Sequence, residues 1–462
     1  MMKFPSALPA VAVLYLTANA CLLPDEIEAE RHLARYSRYP EKSPLALRAR
    51  QSQANPDDTG FPIGIGDRFV HGTVPPRGLS TEDRDMKTIM NPDEITSGLQ
   101  ALARLYQDAR FFTAPHQTYE NRTVAGIVIG AGRPRVYLQG GIHARERGGP
   151  DHMLYFLADL LHARDAGTGI KYGNKSYTHE QVITALSAGI VSMPMVNPDG
   201  AAYDQKTGNC WRKNRNYKSA LRTPNDDFGI GVDLNRNFDV LWDYHRYFNQ
   251  TISRPASDSP ISEIFRGTAP FSEPESQNAA WIAQQHPSLT WFLDLHSISG
   301  DVLYGWGDDN PQTIDPLQNF KNPAWDGKRG VTGDSPDGLV YKEYIEAEDL
   351  DAQLVTATAM SDAMNAAGDG TTVRFKPRQE AAMYAVSGGT TDWFLSRYYS
   401  HTCGAGRING LVIEFGVESG LSCVFYPTKT QFHNSMRQVA AGLMEVVLAA
   451  AGKYGQPKIW KC

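Results

Sequence analysis

His143 and Glu146, in the run Gly140-Gly141-Ile142-His143-Ala144-Arg145-Glu146, place an imidazole and a carboxylate three residues apart just after an apolar stretch. Such a pair can offer two ligands to one divalent ion. Alone it is weak evidence, because a chain with 12 histidines holds about one such pair by chance. His296 follows the apolar run 289–295 and could add a second imidazole; by itself it reads equally as a buried strand-end histidine. Glu414 stands inside the apolar run 409–415, where an ionised carboxylate is costly unless it has a partner or a task. Taken singly, it reads as a salt-bridged strand glutamate.

The elements around these residues alternate. Apolar runs over 123–129 and 135–139 read as adjacent strands, the second leading straight to His143. A helix follows from Pro150 to about Ala163, then a buried-looking strand over 188–196 that ends in the turn signal Asn197-Pro198-Asp199-Gly200. Ser272-Glu273-Pro274-Glu275 has capping-box spacing and opens a helix to about Gln285. Asn91-Pro92-Asp93-Glu94 opens another, and 349–367 and 430–452 have helical periodicity. Strands alternating with helices predict an α/β fold with a mainly parallel sheet covered on both faces, where ligands bind beyond the carboxyl ends of the strands. His143, His296 and Glu414 all fall near such ends. The stretch 308–334, dense in Pro, Gly, Asn and Asp, reads as a surface excursion.

The chain has 462 residues, 41% hydrophobic and 21% charged, with a net charge of −6 and dispersed Lys and Arg. That pattern gives no electrostatic footprint for nucleic acid. Residues 1–20 combine Met1-Met2-Lys3, an apolar run from Ala7 to Leu16 and Ala18-Asn19-Ala20, the parts of a secretory signal peptide, so a secreted protein without a membrane span is expected. Residues 21–90 read as a leader or short pro-segment and 91–455 as one large domain. Of five cysteines, Cys210, Cys403, Cys423 and Cys462 allow three pairings into two bridges; Cys403 with Cys423 stands out because the two flank one predicted strand. Asn121, Asn174 and Asn249 head glycosylation tripeptides.

Seven motifs occur in one order: His143-Ala144-Arg145-Glu146, Asn197-Pro198-Asp199-Gly200, Trp211-Arg212-Lys213-Asn214-Arg215, Gly231-Val232-Asp233-Leu234-Asn235-Arg236-Asn237-Phe238, Leu293-Asp294-Leu295-His296-Ser297, Tyr384-Ala385-Val386-Ser387-Gly388-Gly389-Thr390-Thr391-Asp392 and Val412-Ile413-Glu414-Phe415. In this the sequence resembles zinc metallocarboxypeptidases of the pancreatic carboxypeptidase A/B type. The resemblance implies a mixed, mainly parallel eight-stranded sheet flanked by helices on both faces. It further implies one zinc ion held by His143, Glu146 and His296, a set for which carboxypeptidase A is a standard example, with Asp233 orienting His143.

By the same resemblance Glu414 is the proton-transferring base and Arg212 the oxyanion stabiliser. Asn235, Arg236 and Tyr384 match the clamp on the substrate's free carboxylate, for which a planar guanidinium suits better than lysine. Arg145 matches a contact further from the cut. Thr391 occupies the place where an acidic residue marks basic-specific members and an apolar one the A type; with Val386, Gly389 and Val412 as wall, it leads us to expect an uncharged C-terminal residue. The implied protein is a monomer acting on peptide or protein C-termini. An amidohydrolase of non-peptide or acyl-amino acid substrates, and a catalytically silent binding homologue, are the alternatives.

Overall fold

The computed structural model describes residues 60–80, 86–130, 132–219, 229–331, 340–370, 373–421 and 423–461, together with Leu22, Glu26 and Glu30. The signal peptide expected over 1–20 lies outside them. Eight strands form the main sheet: β1 (Ala109–Thr113), β2 (Ala125–Ile129), β3 (Val136–Gly140), β4 (Ile190–Met193), β5 (Trp291–Ser297), β6 (Asp301–Tyr304), β7 (Lys376–Gln379) and β8 (Asn409–Phe415). Their order is β1-β2-β4-β3-β5-β8-β6-β7. The central pairings β4–β3, β3–β5 and β5–β8, and the edge pairing β6–β7, are parallel; β1–β2, β2–β4 and β8–β6 are antiparallel.

Every residue of β2, β3, β4, β5 and β8 is buried, as a sheet covered on both faces requires. Side chains alternate between two cores. Leu138, Leu293 and Leu295 face the larger one, beneath helices α1 (Pro92–Leu105), α2 (Gly149–Ala166), α3 (His179–Ser187), α7 (Ala347–Ala367) and α9 (Lys429–Ala451). Tyr137 and Phe292 face the smaller one, beneath α6 (Pro274–Gln285) and α8 (Thr390–Tyr399). Two short helices, α4 (Pro198–Thr207) and α5 (Tyr244–Tyr247), sit at the periphery of this frame.

Several expectations change in three dimensions. The runs expected to be neighbours, β2 and β3, are separated by β4, because β3 returns through α2 and α3 to pair in parallel with a strand distant in sequence. Asn197 starts a helix rather than a turn: its side chain accepts from Gly200 N–H, and Pro198 fits the first helical position. The N-cap of α6 is Glu273, without a side-chain capping bond, so the capping box read there does not form. From Phe61 onward the expected leader shares the main core, since Phe61, Phe69, Met86, Ile89 and Met90 are buried with Leu99 and Leu154. The excursion beginning at Asp308 is anchored inward by the buried Arg329, 3.8 Å from Asp308 and 3.9 Å from Glu343.

The disulfide also differs: Cys423 bonds Cys210, with Cα atoms 5.5 Å apart, and not Cys403. Cys403 and Cys423 lie beyond opposite ends of β8, whose seven residues span about 23 Å, whereas bridged Cα atoms lie within about 7 Å. Cys403 is disulfide-bonded as well, but to a different residue. Among the described residues no helix is long and apolar enough to cross a membrane.

Because Leu293 is wholly buried in β5, between β3 and β8, Leu293→Ala should lower unfolding free energy by about 2–5 kcal/mol. Denaturant titration would measure this, and a loss under about 1 kcal/mol would contradict the packing described.

Candidate active site

The sheet ends at Gly140, and the chain turns on Gly141 at φ 63°, where an added Cβ would lie 3.2 Å from the Met195 backbone. Asn197 fastens this turn by donating to the Ile142 and Lys213 carbonyls, each at 3.1 Å. His143 and Glu146 follow, both buried, with His143 Nδ1 2.8 Å from Glu146 Oε1. His296, from β5, brings its Nδ1 to 3.1 Å from His143 Nδ1 and 3.2 Å from Glu146 Oε2. The three ligand atoms lie within 4.8 Å of one another. Two imidazole nitrogens and a carboxylate converging on one point in a buried setting are satisfied together by a cation between them. Two imidazoles and one carboxylate are the donors of an open catalytic zinc centre. The residues therefore fit zinc.

Asp233 organises the wall behind this cluster. Its Oδ1 lies 3.1 Å from His143 Nε2, and its Oδ2 accepts from Arg212 Nη2 at 2.9 Å and Nε at 3.3 Å. Burial would raise the Asp233 carboxyl, but the Arg212 and His143 side chains hold it well below the usual range. The same aspartate accepts from Asn235 N–H at 3.0 Å, fixing the short 3₁₀ turn Leu234–Arg236.

Asn235 Oδ1 accepts from Thr390 N–H at 2.8 Å, which leaves its amide group as a donor toward the cleft. Arg236 gives its Nε to the Pro255 carbonyl at 2.6 Å and Nη1 to its own neighbour's carbonyl at 2.8 Å. Its guanidinium carbon stands 5.8 Å from the ring centre of half-buried Tyr384. Glu414 pairs in register with His296 across β8 and β5, so the two are neighbours by virtue of the ladder itself. Asn235, His296, Leu303, Glu380, Met383, Tyr384, Val412 and Glu414 line one cleft.

Thr391 is buried, its methyl 2.5 Å from where a Cβ on Gly410 would lie. Arg145 is wholly buried, gripped by Glu26 through two hydrogen bonds of 2.6 and 2.9 Å and lying 4.4 Å over the Phe425 ring. Residues not singled out beforehand also matter. Asp294 Oδ2 lies 3.3 Å from His296 Nε2 and accepts from Gln139 and Thr390, so it stands to His296 as Asp233 does to His143. Its place two residues before His296, on the same strand face, was a readable signal. Glu380, Leu303 and Met383 gave none.

Residues 95–442 match the zinc carboxypeptidase family model, and the chain belongs to that family. It is 30% identical over 248 residues to carboxypeptidase B of Astacus astacus, covering 52% of this chain and 72% of that one. It is 30% identical over 220 residues to zinc carboxypeptidase A 1 of Anopheles gambiae, spanning 46% of this chain and 44% of the mosquito protein. The structure of carboxypeptidase A from Helicoverpa armigera superposes with TM-score 0.53 at 21% identity, over 79% of this chain and 75% of the other, and supports the fold.

Asp233→Asn keeps the shape at His143 but removes the anion, so metal affinity should fall on the order of 10–100-fold. Competition with a chromogenic chelator would measure it; unchanged affinity would deny Asp233 an orienting role.

Proposed function

We propose that the protein is a secreted zinc carboxypeptidase that hydrolyses the last peptide bond of a peptide or protein and releases one amino acid. The observation that supports this reading is the buried His143–Glu146–His296 cluster, whose His296 lines one cleft with Asn235, Tyr384 and Glu414, Arg236 standing next to Tyr384. Bound zinc would supply Lewis-acid activation of the scissile carbonyl and the attacking water. Arg236, Asn235 and Tyr384 hold the terminal carboxylate and thereby set the last bond beside the cluster. Glu414 takes a proton from the attacking water and passes it to the leaving amine. Arg212 donates to the oxygen that gains negative charge, its guanidinium held ready by Asp233. The amidohydrolase and binding-homologue readings are not favoured, because the chain belongs to the zinc carboxypeptidase family and keeps the His143–Glu146–His296 cluster.

The leader enters this proposal at Arg145. Glu26 occupies the guanidinium that would contact substrate further from the cut, and Glu30 is half-buried, accepting a hydrogen bond from Ser262. Burial pushes the Glu30 carboxyl up to about 7, with Glu263 and Glu26 adding to the effect and Ser262 and Lys213 opposing it. The docked leader thus holds this proton more tightly than the free leader. Docking is full below the ordinary value of 4.5 and weakens as pH rises toward about 7. Hydrogen exchange of the segment carrying Glu26 and Glu30, corrected for intrinsic rates, should rise between pH 5 and 8, and Glu30→Gln should flatten that rise. A pH-independent protection would refute this docking scheme.

Glu414→Gln should retain zinc, yet slow release of the terminal residue by about 10²–10⁴-fold. Arg236→Ala should impair free-carboxylate peptides far more than their C-terminal amides. Full activity in the first variant, or equal losses in the second, would remove the assigned roles.

A further inference from the structure

Besides Asp233, a second buried carboxylate joins the segments around the cleft. Asp204 stands in the last turn of α4 and is wholly buried. A negative charge there has the wrong sign for the helix macrodipole, and removal from water adds to the cost, so strong partners are required. Arg147, the residue next to Glu146, supplies them. Its Nε donates to Asp204 Oδ2 at 2.7 Å and its Nη2 to the Asp204 carbonyl at 2.8 Å, so one guanidinium grips both the side chain and the main chain of the same residue. The guanidinium carbon lies 3.4 Å from the centre of the Tyr426 ring, and the Tyr426 hydroxyl donates to Asp204 Oδ1 at 2.6 Å.

Asp204 and Tyr426 also take the two backbone N–H groups that precede Arg212. Trp211 N–H donates to Asp204 Oδ1 at 2.8 Å, and Cys210 N–H donates to the Tyr426 hydroxyl at 2.8 Å. Cys210 is in addition bonded to Cys423, just before Tyr426 in the chain. On the other side, the Arg212 carbonyl accepts from Ala144 N–H at 3.0 Å, between His143 and Glu146. The main chain at Arg212 is thus pinned to α4 on one side and to the metal-ligand loop on the other. Asp233 orients the Arg212 side chain, whereas Asp204 fixes the backbone from which that side chain projects.

Resting on the carboxypeptidase reading above, we propose that Asp204 is a positioning residue for the hydrolysis: through Trp211 and Arg147 it sets the Arg212 guanidinium at its working distance from the metal cluster, without itself belonging to that cluster. A misplacement of about 1 Å can cost on the order of 10²-fold in rate, so the loss of Asp204 shows in turnover rather than in substrate binding.

The test uses the zinc-loaded full chain and a panel of peptides with apolar, acidic and basic ends, the best-cleaved one serving for kinetics. Asp204→Asn keeps the size of the side chain but weakens the grip of Arg147, so kcat should fall about 10–100-fold while KM changes less than about twofold. Tyr426→Phe keeps the ring beside Arg147 and removes only the hydroxyl, so kcat should fall in the same way by about 3–10-fold. Leu161→Ala, in the C-terminal half of α2, opens a cavity in the core and should lower thermal stability without moving kcat. A phosphonate analogue of the same peptide, tetrahedral at the reacting atom, should lose affinity for Asp204→Asn by the factor seen in kcat, a comparison that needs no turnover. Where Asp204→Asn yields no folded protein, Tyr426→Phe carries the same comparisons. An active parent whose two variants keep kcat within about twofold, or whose kcat falls as much in Leu161→Ala, would overturn the assignment of Asp204 and leave the carboxypeptidase reading intact. A parent that releases no terminal residue from any peptide of the panel would overturn both.

Discussion

A single buried carboxylate, Asp233, ties together the parts of the cleft. It touches the imidazole of His143 on one side and the guanidinium of Arg212 on the other, with Arg236 Nη1 3.9 Å away. In a site shielded from water, an anion is tolerable only if cations or donors surround it, and the reverse holds for the arginines. Each group therefore makes the burial of the others affordable. His143, Arg212 and Arg236, the residues proposed as metal ligand, oxyanion donor and carboxylate clamp, are thus held by one shared charge balance.

The sheet supplies the rest of the precision. His296 and Glu414 stand opposite each other on adjacent parallel strands, and Asp294 points to the same face as His296 from the same strand. The loop carrying His143 and Glu146 begins where β3 ends, beside β5. Turning the chain there needs Gly141 in a left-handed conformation and the Asn197 side chain as a brace. Chemistry gathered at strand ends is thus positioned by backbone hydrogen bonds, the stiffest elements available.

The His143–Glu146 pair and the strand-end His296 were legible in the amino-acid string, because residues that could share a metal ion stand out by type and spacing. His143, Glu146 and His296 converge as a cluster that could hold a metal ion, with Glu414 beside His296 in the ladder and Arg212 bonded to Asp233. The helices with clear periodicity, over Ala347–Ala367 and Lys429–Ala451, fell close to where their patterns put them. What stayed hidden depended on side-chain direction and on distant pairing. β1 and β7 are edge strands with mixed exposure and carry no clean alternation. The Cys210–Cys423 bridge joins residues 213 apart, and nothing local announces it. Thr391 packs against a glycine in β8 and Glu380 covers a glycine after β6, placements that no linear motif encodes.

The pairing of Glu414 with His296 carries a further implication for how such a protein can change. A side chain in a strand alternates faces with each residue, so a shift of one position in β8 would swing Glu414 out of the cleft and Ile413 into it. The distance between proton acceptor and ligand is therefore quantised by the ladder and insulated from drift in the surrounding turns. Those turns lie outside the ladder, so a change in them leaves the spacing of Glu414 and His296 as the paired strands set it.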